Sequence, residues 1–363
     1  MYRNHSVGVV VPAYNEEGFV GEVVDTLPSF VDRAYVVDDR STDGTWAEIL
    51  ERVEDSPDET GDAGPASTDG TRADGGEAVA AGASTGSAGT GASAPTLAGD
   101  AATEVVAIRH EENRGVGGAI KTGYLRAVED GVDLVTVMGG DGQMDPDQLD
   151  ALLDPLVDGR ADYAKGNRLR SPGHWQGMSR FRLFGNAVLT LLTKVSSGYW
   201  ELLDPQNGYA AITREALETV DVAEMYEDYG YCNDLLARLN RHDCRVAHVD
   251  IPAEYGDEES SISYPSYIKN VSGLLLGNFL WRMKHSYAVG SFHPLVLSYL
   301  FGTGLALLGA VATVGTLVGV GLGAVGPAAV LVAALLGAVG VQTLLSAMHA
   351  DADENDGLEV QIT

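Results

Sequence analysis

Three short apolar segments, each followed by a polar loop, constrain the fold of this chain more than any other feature. Residues 7–11, 34–37 and 134–138 are largely aliphatic, and Pro, Gly or acidic residues follow each of them. Short apolar runs bounded in this way are typical of strands in a parallel sheet that is buried on both faces. Because such strands end at one edge of the sheet, we expect the three loops to meet there, where open α/β sheets bind their ligands.

The rest of the N-terminal two thirds alternates between strand and helix patterns. Further strands are predicted near 104–108, 161–166, 207–212 and 245–249. Helices are predicted near 15–27, 43–53, 115–130, 146–157, 179–194, 213–219 and 230–241. This alternation predicts an α/β domain with a mostly parallel sheet that helices cover on both faces.

A segment of different composition interrupts this domain at residues 55–100. It contains no aromatic residue, and Val79 and Leu97 are its only large aliphatic residues. A segment this poor in apolar residues cannot offset the entropy cost of ordering. We therefore expect a disordered acidic insertion, flanked by the two parts of the α/β domain at 1–54 and 101–260.

The charge balance excludes one class of partner. Asp and Glu total 52 against 23 Lys and Arg, which gives a formal net charge of -29. Nonspecific nucleic-acid binding needs a basic surface, so no nucleic-acid partner is expected. Acidity on this scale favours a halophilic host whose salty cytoplasm screens the self-repulsion, and an acidic mesophilic protein is the alternative.

The C-terminal region predicts a membrane anchor. No Asp, Glu, Lys or Arg lies between Lys284 and Asp351. Two spans of about 20 apolar residues each fit within 294–349. Three glycines four residues apart predict a face that packs closely on the other helix; they are Gly315, Gly319 and Gly323. A buried hairpin of a soluble protein is the alternative, and self-association of the chain through these helices stays open.

The flanks of this hairpin indicate its orientation. Residues 261–293 combine apolar, aromatic and basic residues, as expected for amphipathic helices at a membrane interface. Arg282 and Lys284 place the start of the first span in the cytoplasm. Two spans then return the acidic tail at 350–363 to the same side, where we expect a solvated end. The predicted location is the cell membrane, with two spans and the α/β domain in the cytoplasm.

Taken together, the strand-end motifs and their spacing resemble the family 2 glycosyltransferases. The similarity covers about residues 6–54 and 103–285, and it is greatest to the branch that makes dolichyl-phosphate mannose or glucose. The resemblance implies a glycosyltransferase A-type nucleotide-binding fold, followed here by interface helices and a two-helix transmembrane hairpin. It also implies a GDP- or UDP-linked sugar donor and a divalent cation, Mg²⁺ or Mn²⁺.

The resemblance assigns donor contacts to the first two strand-end loops. Asp39 matches the family's nucleoside-contacting acid. The remaining matches in these loops are Pro12, Ala13, Tyr14, Glu16 and, beside Asp39, Asp38. Asp43 is instead expected to cap the following helix.

A glycine-rich segment after the third strand gives two further candidates, Gly118 and Lys121. A glycine-rich loop at a helix N-terminus can approach phosphate. A tight strand–helix turn is the alternative interpretation.

The metal site departs from the family pattern. Asp141 matches the second acid of the family's Asp-x-Asp motif, whereas Gly139 stands where the first acid is expected. Gln143 matches a metal-contacting Gln of the lipid-phosphate branch. The resemblance therefore implies Asp141 and Gln143 as metal ligands, with donor phosphates completing the shell. Asp145 is expected to be a helix N-cap before Pro146.

The acceptor side is carried by three residues. In the lipid-phosphate branch, arginines at the positions of Arg168 and Arg182 hold the acceptor phosphate, and guanidinium groups suit this task. Salt bridges to surface acids are the alternative for both. Asp204, in a loop that resembles the family's Asp-x-Gln-x-Gly-aromatic motif, is either a general base for a hydroxyl acceptor or a positioning group.

These assignments predict an inverting hexosyltransferase that acts at the cytoplasmic membrane face on a polyprenyl (dolichyl) phosphate. The first alternative is a glycosyltransferase that adds a sugar to a hydroxyl of a lipid-linked saccharide. The second is a catalytically degenerate protein that binds the donor at the membrane, an alternative that Gly139 keeps open.

Overall fold

The computed structural model describes residues 1–54, 103–168, 180–251, 264–289 and 292–362, with the side chains of 180–184 and 264–269 excepted. The insertion predicted at 55–100 lies outside this part of the chain. The catalytic domain is built around one eight-stranded sheet, and two long helices follow it.

The sheet has the strand order β3-β2-β1-β4-β6-β5-β7-β8. Only β6 is antiparallel to its neighbours β4 and β5, and every other pairing is parallel. The strands are β1 Val7–Ala13, β2 Arg33–Asp38, β3 Glu104–Arg109, β4 Leu134–Val137, β5 Tyr163–Asn167, β6 Ala210–Thr213, β7 Val246–Asp250 and β8 Glu359–Ile362. The predicted α/β class and mostly parallel sheet are confirmed.

Ten α-helices lie in the described part of the chain. They are α1 Val20–Asp25, α2 Thr45–Glu54, α3 Val116–Glu129, α4 Leu149–Val157, α5 Arg180–Ser197, α6 Arg214–Thr219, α7 Tyr231–Arg241, α8 Tyr264–Arg282, α9 Leu295–Gly321 and α10 Pro327–Glu354. Side chains alternate across a strand, so each strand feeds two hydrophobic cores. Val10 and Tyr35 belong to the core that α3 covers, while Val11 and Val36 belong to the opposite core, which includes Ile49 of α2. Both faces are therefore covered, as the apolar strands predict.

Helices α9 and α10 form the predicted hairpin, and both are long and apolar enough to cross a membrane. Their backbones meet through glycines other than the predicted ones. A Cβ added at Gly309 would collide with the backbone of Gly337, and one added at Gly340 would collide with Ala306. A Cβ at Gly315 would meet nothing within 4 Å.

The predicted packing face of Gly315, Gly319 and Gly323 is therefore wrong. A Cβ at Gly323 also meets nothing within 4 Å, and one at Gly319 meets only the side chain of Val325. The reason is helical phase: six residues separate Gly309 from Gly315, which turns a helix by about 240°. Gly315 and Gly319 lie on a face of α9 that α10 does not contact, and Gly323 lies beyond the end of α9, in the turn before α10.

The tail is not the expected solvated end. Helix α10 continues to Glu354, and β8 then pairs in parallel with β7, with Val246 opposite Glu359. Glu359 also accepts a hydrogen bond from the backbone of Glu201 at 2.8 Å and lies 2.9 Å from the ring of His248. The tail thus completes the catalytic sheet, which places it on the same side of the hairpin as the catalytic domain.

The surroundings of Arg282 also differ from those that the sequence predicts. It is fully buried and forms two hydrogen bonds with Asp351, at 2.9 and 2.7 Å. Burial alone would lower the pKa of Arg282, but the hydrogen bonds and charge of Asp351 raise it above its ordinary value. Because α8 ends against the last turn of α5, the guanidinium enters an interface between helices. Of the two basic residues used to orient the hairpin, only Lys284 is exposed.

Candidate active site

The carboxyl ends of β1, β2 and β4 meet at one point. The amide of Asp39 donates to the carbonyl of Ala13 at 2.9 Å, and the amide of Gly140 donates to the carbonyl of Pro12 at 3.1 Å. A Cβ on Gly140 would lie 3.0 Å from the Pro12 oxygen, a tight contact, so glycine favours this close approach. The three loops therefore form one continuous edge, as expected for parallel strands.

Tyr14 and Glu16 follow β1 at this edge. The side chain of Tyr14 is 47% exposed. Asn15 adopts a left-handed backbone with φ of 58° and accepts a hydrogen bond from the amide of Thr42 at 2.8 Å. The amide of Glu16 donates to the hydroxyl of Thr45 at 2.7 Å. The loop is thus shaped by the β2–α2 connection and presents Tyr14 to solvent.

The two acids after β2 have different partners. Asp38 is fully buried; its Oδ1 accepts from the amide of Ser41 at 3.0 Å, and its Oδ2 lies 2.9 Å from Nε of Arg109. Asp39 is 3% exposed, and its Oδ1 lies 2.7 Å from Nδ1 of His110. Both acids are therefore held from the end of β3, Asp38 by Arg109 and Asp39 by His110, and Asp38 also closes its own turn.

The glycine-rich turn packs against a later segment of the chain. The amide of Gly118 donates to the carbonyl of Glu227 at 2.8 Å, and Nζ of Lys121 lies 2.6 Å from the Glu227 carboxylate. Hydrogen bonds from Lys121 and then Arg114 lower the pKa of Glu227. A Cβ at Gly117 would lie 2.8 Å from the backbone carbon of Glu227. These contacts account for the glycines by close packing, which favours a tight strand–helix turn.

Asp141 lies in the loop after β4 and faces Gly139. Its Oδ1 accepts from the amide of Gln143 at 3.1 Å and lies 2.9 Å from the position that a Cβ on Gly139 would occupy. The described residues contain no group of three or more His, Cys, Asp or Glu side chains that could hold a metal. One carboxylate and one amide oxygen fit a hard divalent cation only where phosphate oxygens supply further ligands.

The loops after β5 and before β6 bring two candidates together. Nε of Arg168 donates to Oδ2 of Asp204 at 2.8 Å, and Nη2 donates to Oδ1 at 3.2 Å. Asp204 is 5% exposed. Arg182 lies in the first turn of α5, and its side chain is outside the described part of the structure. Arg168 and Asp204, which the sequence presents as separate candidates, are one bidentate pair.

Lys165 is a residue that sequence reasoning missed. It is 1% exposed, and its ammonium donates to the carbonyl of Asn207. Asn207 in turn donates from Nδ2 to the carbonyl of Gly166 at 2.8 Å, and the Gly166 amide donates to Tyr209 at 2.9 Å. These bonds join the loop that carries Asp204 to the end of β5. The available signal was a lysine at the centre of a short strand, where a buried charge needs a reason.

Three acids near the edge shape the backbone. Asp145 is the N-cap before Pro146 and accepts from the amide of Asp147 at 2.9 Å, as predicted. Asp43 was predicted to cap α2, but Gly44 occupies the N-cap position, and Asp43, one residue earlier, accepts from the amide of Thr45 at 3.1 Å. Asp234 accepts from the amide of Tyr226 at 2.9 Å and from Nε of Arg238 at 2.8 Å.

Comparisons with known proteins agree on one family. The family model described as glycosyl transferase family 2 matches residues 8–60 and 89–221. The chain is 26% identical over 248 residues to a UDP-N-acetylglucosamine–dolichyl-phosphate N-acetylglucosaminyltransferase of Methanococcus voltae, covering 68% of this chain and 85% of that protein. It is 28% identical over 181 residues to a polyprenol monophosphomannose synthase of Mycolicibacterium smegmatis, covering 48% and 65%.

A solved structure also resembles the chain. It is a mannosyltransferase of Pyrobaculum calidifontis in complex with GDP-Man and Mn²⁺, with a TM-score of 0.46 and 17% identity. The similarity covers 97% of this chain and 87% of that one.

Proposed function

Because the chain belongs to glycosyl transferase family 2, we propose that it transfers a hexose from a GDP- or UDP-linked donor to a polyprenyl phosphate at the membrane surface. The observation that carries the choice of acceptor is the Arg168–Asp204 pair. Both oxygens of Asp204 accept hydrogen bonds from Arg168. A hydroxyl acceptor needs a general base, whereas a phosphate acceptor is already ionised and needs a cationic group such as the Arg168 guanidinium to hold it. The pair therefore supports a phosphate acceptor.

The donor side of the proposal rests on the edge formed by β1, β2 and β4. Asp39 contacts the nucleoside, and the loop of Pro12, Ala13 and Tyr14 lies beside it. Asp141 and Gln143 would hold Mg²⁺ or Mn²⁺, which neutralises the diphosphate leaving group when bound. Gly118 and Lys121 support the edge indirectly, through their contacts with Glu227.

The acceptor side of the proposal uses Arg168 and, from the first turn of α5, Arg182. Their guanidinium groups hold the acceptor phosphate near the donor sugar. A phosphate oxygen then attacks the anomeric carbon, a new carbon–oxygen bond forms, and the bond to the nucleoside diphosphate breaks. A single displacement inverts the anomeric configuration. In this scheme Asp204 orients Arg168 and takes up no proton.

The membrane side of the proposal rests on the hairpin. Helices α9 and α10 would span the bilayer, and α8 would lie at its interface. Because β8 belongs to the catalytic sheet, the tail and the catalytic domain share one side. The exposed Lys284 before the first span favours the cytoplasmic side. Two relatives named for dolichyl-phosphate or polyprenol products support a membrane lipid acceptor.

The experiment that tests this function is an acceptor comparison with full-length protein in detergent. Labelled GDP- and UDP-sugars are offered with a short polyprenyl phosphate or with a polyprenyl-diphosphate saccharide that presents only hydroxyls. Because the net charge of -29 leads us to propose a salty cytoplasm, each assay is run over a range of KCl concentrations. We expect glycosylated polyprenyl phosphate. Transfer to the saccharide alone would establish the hydroxyl-acceptor enzyme instead, and no turnover of any donor would favour a degenerate protein.

A second experiment tests the assignment of Asp141 as a metal ligand. Asp141→Asn removes the single carboxylate of the motif, and we expect turnover to fall at least about 100-fold with the thermal unfolding midpoint unchanged. Asp147→Asn, an exposed acid six residues away, is the matched control and should retain activity. Full activity of Asp141→Asn in the presence of a chelator would contradict the metal assignment.

A further inference from the structure

His110, which follows β3, lies between the donor edge and helix α3. Its ring is 8% exposed, with Nδ1 at 2.7 Å from Oδ1 of Asp39 and Nε2 at 2.9 Å from the hydroxyl of Thr122. Its own amide donates to the carbonyl of Asp38 at 2.9 Å. Both ring nitrogens are therefore engaged, and the ring is fixed at its backbone as well as at its side chain.

These contacts show which carboxylate oxygen of Asp39 already accepts hydrogen bonds from the protein. A carboxylate only accepts hydrogen bonds, so the proton of this contact belongs to Nδ1 of His110. The same Oδ1 also accepts from the amide of Arg114 at 2.8 Å. Oδ2 of Asp39 accepts no hydrogen bond from any residue that the structure describes. The carboxylate cannot rotate without breaking two bonds at Oδ1, and Oδ2 is the oxygen left for a ligand.

The contacts of His110 extend through Thr122 to the glycine-rich turn. The hydroxyl of Thr122 lies 3.0 Å from the carbonyl of Gly118 as well as 2.9 Å from Nε2 of His110. Arg114 and Gly118 both belong to the segment that opens α3. Asp39 is thus held by two separate contacts from this segment, one through a backbone amide and one through His110.

We propose that His110 is a positioning residue for the nucleoside part of the donor. It holds Asp39 so that Oδ2 receives a ribose hydroxyl or a base N–H of a nucleoside diphosphate. The inference rests on the proposed function, because it takes Asp39 as the nucleoside-binding acid. It adds that nucleoside affinity depends on His110 and Thr122, which do not themselves touch the ligand.

The test uses substitutions that separate the two ring nitrogens. An asparagine amide can place an N–H close to the position of Nδ1, whereas phenylalanine fills the space without a donor. Binding of GDP and UDP is measured by titration calorimetry with Mn²⁺ present. We expect His110→Phe to weaken binding of the cognate nucleotide by about 10- to 100-fold, as for the loss of a hydrogen bond to a charged group. His110→Asn should stay within about threefold of wild type.

Two further variants keep the test decisive. Thr122→Val removes only the outer contact, and we expect roughly a threefold weakening with the unfolding midpoint unchanged. His242→Phe, at the end of α7, is the matched control and should bind normally. At saturating donor, kcat of His110→Phe should stay within about threefold of wild type, since the loss is confined to binding.

The outcomes separate this inference from the proposed function. Wild-type affinity in both His110→Phe and Thr122→Val would overturn the inference while leaving the glycosyltransferase function intact. Equal losses of affinity in His110→Asn and His110→Phe, accompanied by lower unfolding midpoints, would also overturn it, because the ring would then have a packing role only. Wild-type protein that binds neither nucleotide would instead contradict the proposed donor.

Discussion

Two arginine–aspartate pairs in this protein share one geometry but lie in different surroundings. In Arg282–Asp351 both side chains are 0% exposed, and the two hydrogen bonds measure 2.9 and 2.7 Å. In Arg168–Asp204 the arginine side chain is 35% exposed, and the bonds measure 2.8 and 3.2 Å. The first pair joins the hairpin to the catalytic domain, and the second lies at the carboxyl edge of the sheet.

The difference shows that surroundings determine what such a pair does. Arg282 also donates to the carbonyls of Ser196 and Val195, while Asp351 accepts from the hydroxyl of Tyr287 at 3.0 Å. Every charge there is matched inside the protein, so the pair serves the structure. Arg168 keeps a third of its side chain in contact with solvent, where an anionic ligand can approach it. Of these two pairs, the second is the one that we propose acts on a substrate.

The largest expected effect comes from breaking the buried pair. Asp351→Asn leaves the guanidinium of Arg282 buried without its counter-charge, and we expect a loss of about 3–5 kcal/mol in the free energy of unfolding. Thermal and denaturant unfolding of the full-length protein in detergent measures it. Asp353→Asn is the control, because that side chain is 69% exposed on the same helix, and it should change stability by less than about 0.5 kcal/mol.

A paired replacement sharpens this prediction. Arg282→Met combined with Asp351→Leu removes both charges, and buried pairs replaced by apolar residues are often no less stable. We expect the double variant to recover most of the loss. Equal unfolding midpoints for Asp351→Asn and wild type would show that the network does not hold the hairpin to the domain.

The second effect concerns activity at the exposed pair. Arg168→Ala should lower kcat/KM for polyprenyl phosphate by about 10- to 100-fold, because it removes a charge-assisted contact to the acceptor. The sequence alone predicts a mild effect of Asp204→Asn with a phosphate acceptor. The structure makes it larger, since Asp204 holds both the side chain and the backbone amide of Arg168.

A double-mutant cycle tests whether the pair acts as a unit. If Asp204 works through Arg168, the double variant should be no worse than Arg168→Ala alone. Arg160→Ala, a surface arginine that pairs with Asp158, is the control and should keep full activity. Additive losses would show that Asp204 has a separate task, such as that of a base.

Most strands of the sheet could be predicted because the sequence pattern that marks each strand is local. Apolar strands and the loops that end them are contiguous in sequence, and the sequence places β1 to β7 correctly, with bounds that differ from the structure by up to three residues, as in β6. Strand β8 could not be found in this way, since it has four residues, and its partner β7 lies more than 100 positions earlier. Nothing within the tail itself distinguishes a strand that adds to a distant edge from a solvated end.

The residues of the candidate site divide in the same way, into those whose position follows from the local sequence and those whose partners are distant in sequence. The meeting of Pro12, Asp39 and Gly140 follows from strand direction alone. The pairing of Arg168 with Asp204 depends on how two loops 36 residues apart come together, and the partner of Lys121 lies 106 positions later at Glu227. Helix phase decided which glycines of α9 face α10. Local chemistry indicated which residues matter, but their partners are set by tertiary packing.

The smallest expected effect comes from a third kind of pair, on the surface. Arg126 of α3 donates to Asp130, the C-cap residue of that helix, with 46% of the arginine side chain exposed. Solvent stabilises the charge of Arg126, and Asp130, whose side chain is 16% exposed, keeps Arg33 and the hydroxyl of Tyr35 as partners. Arg126→Gln should therefore change the free energy of unfolding by no more than about 0.5 kcal/mol. Denaturant unfolding beside Asp351→Asn measures it in the same preparation. A loss comparable to that of Asp351→Asn would mean that burial is not what separates the three pairs.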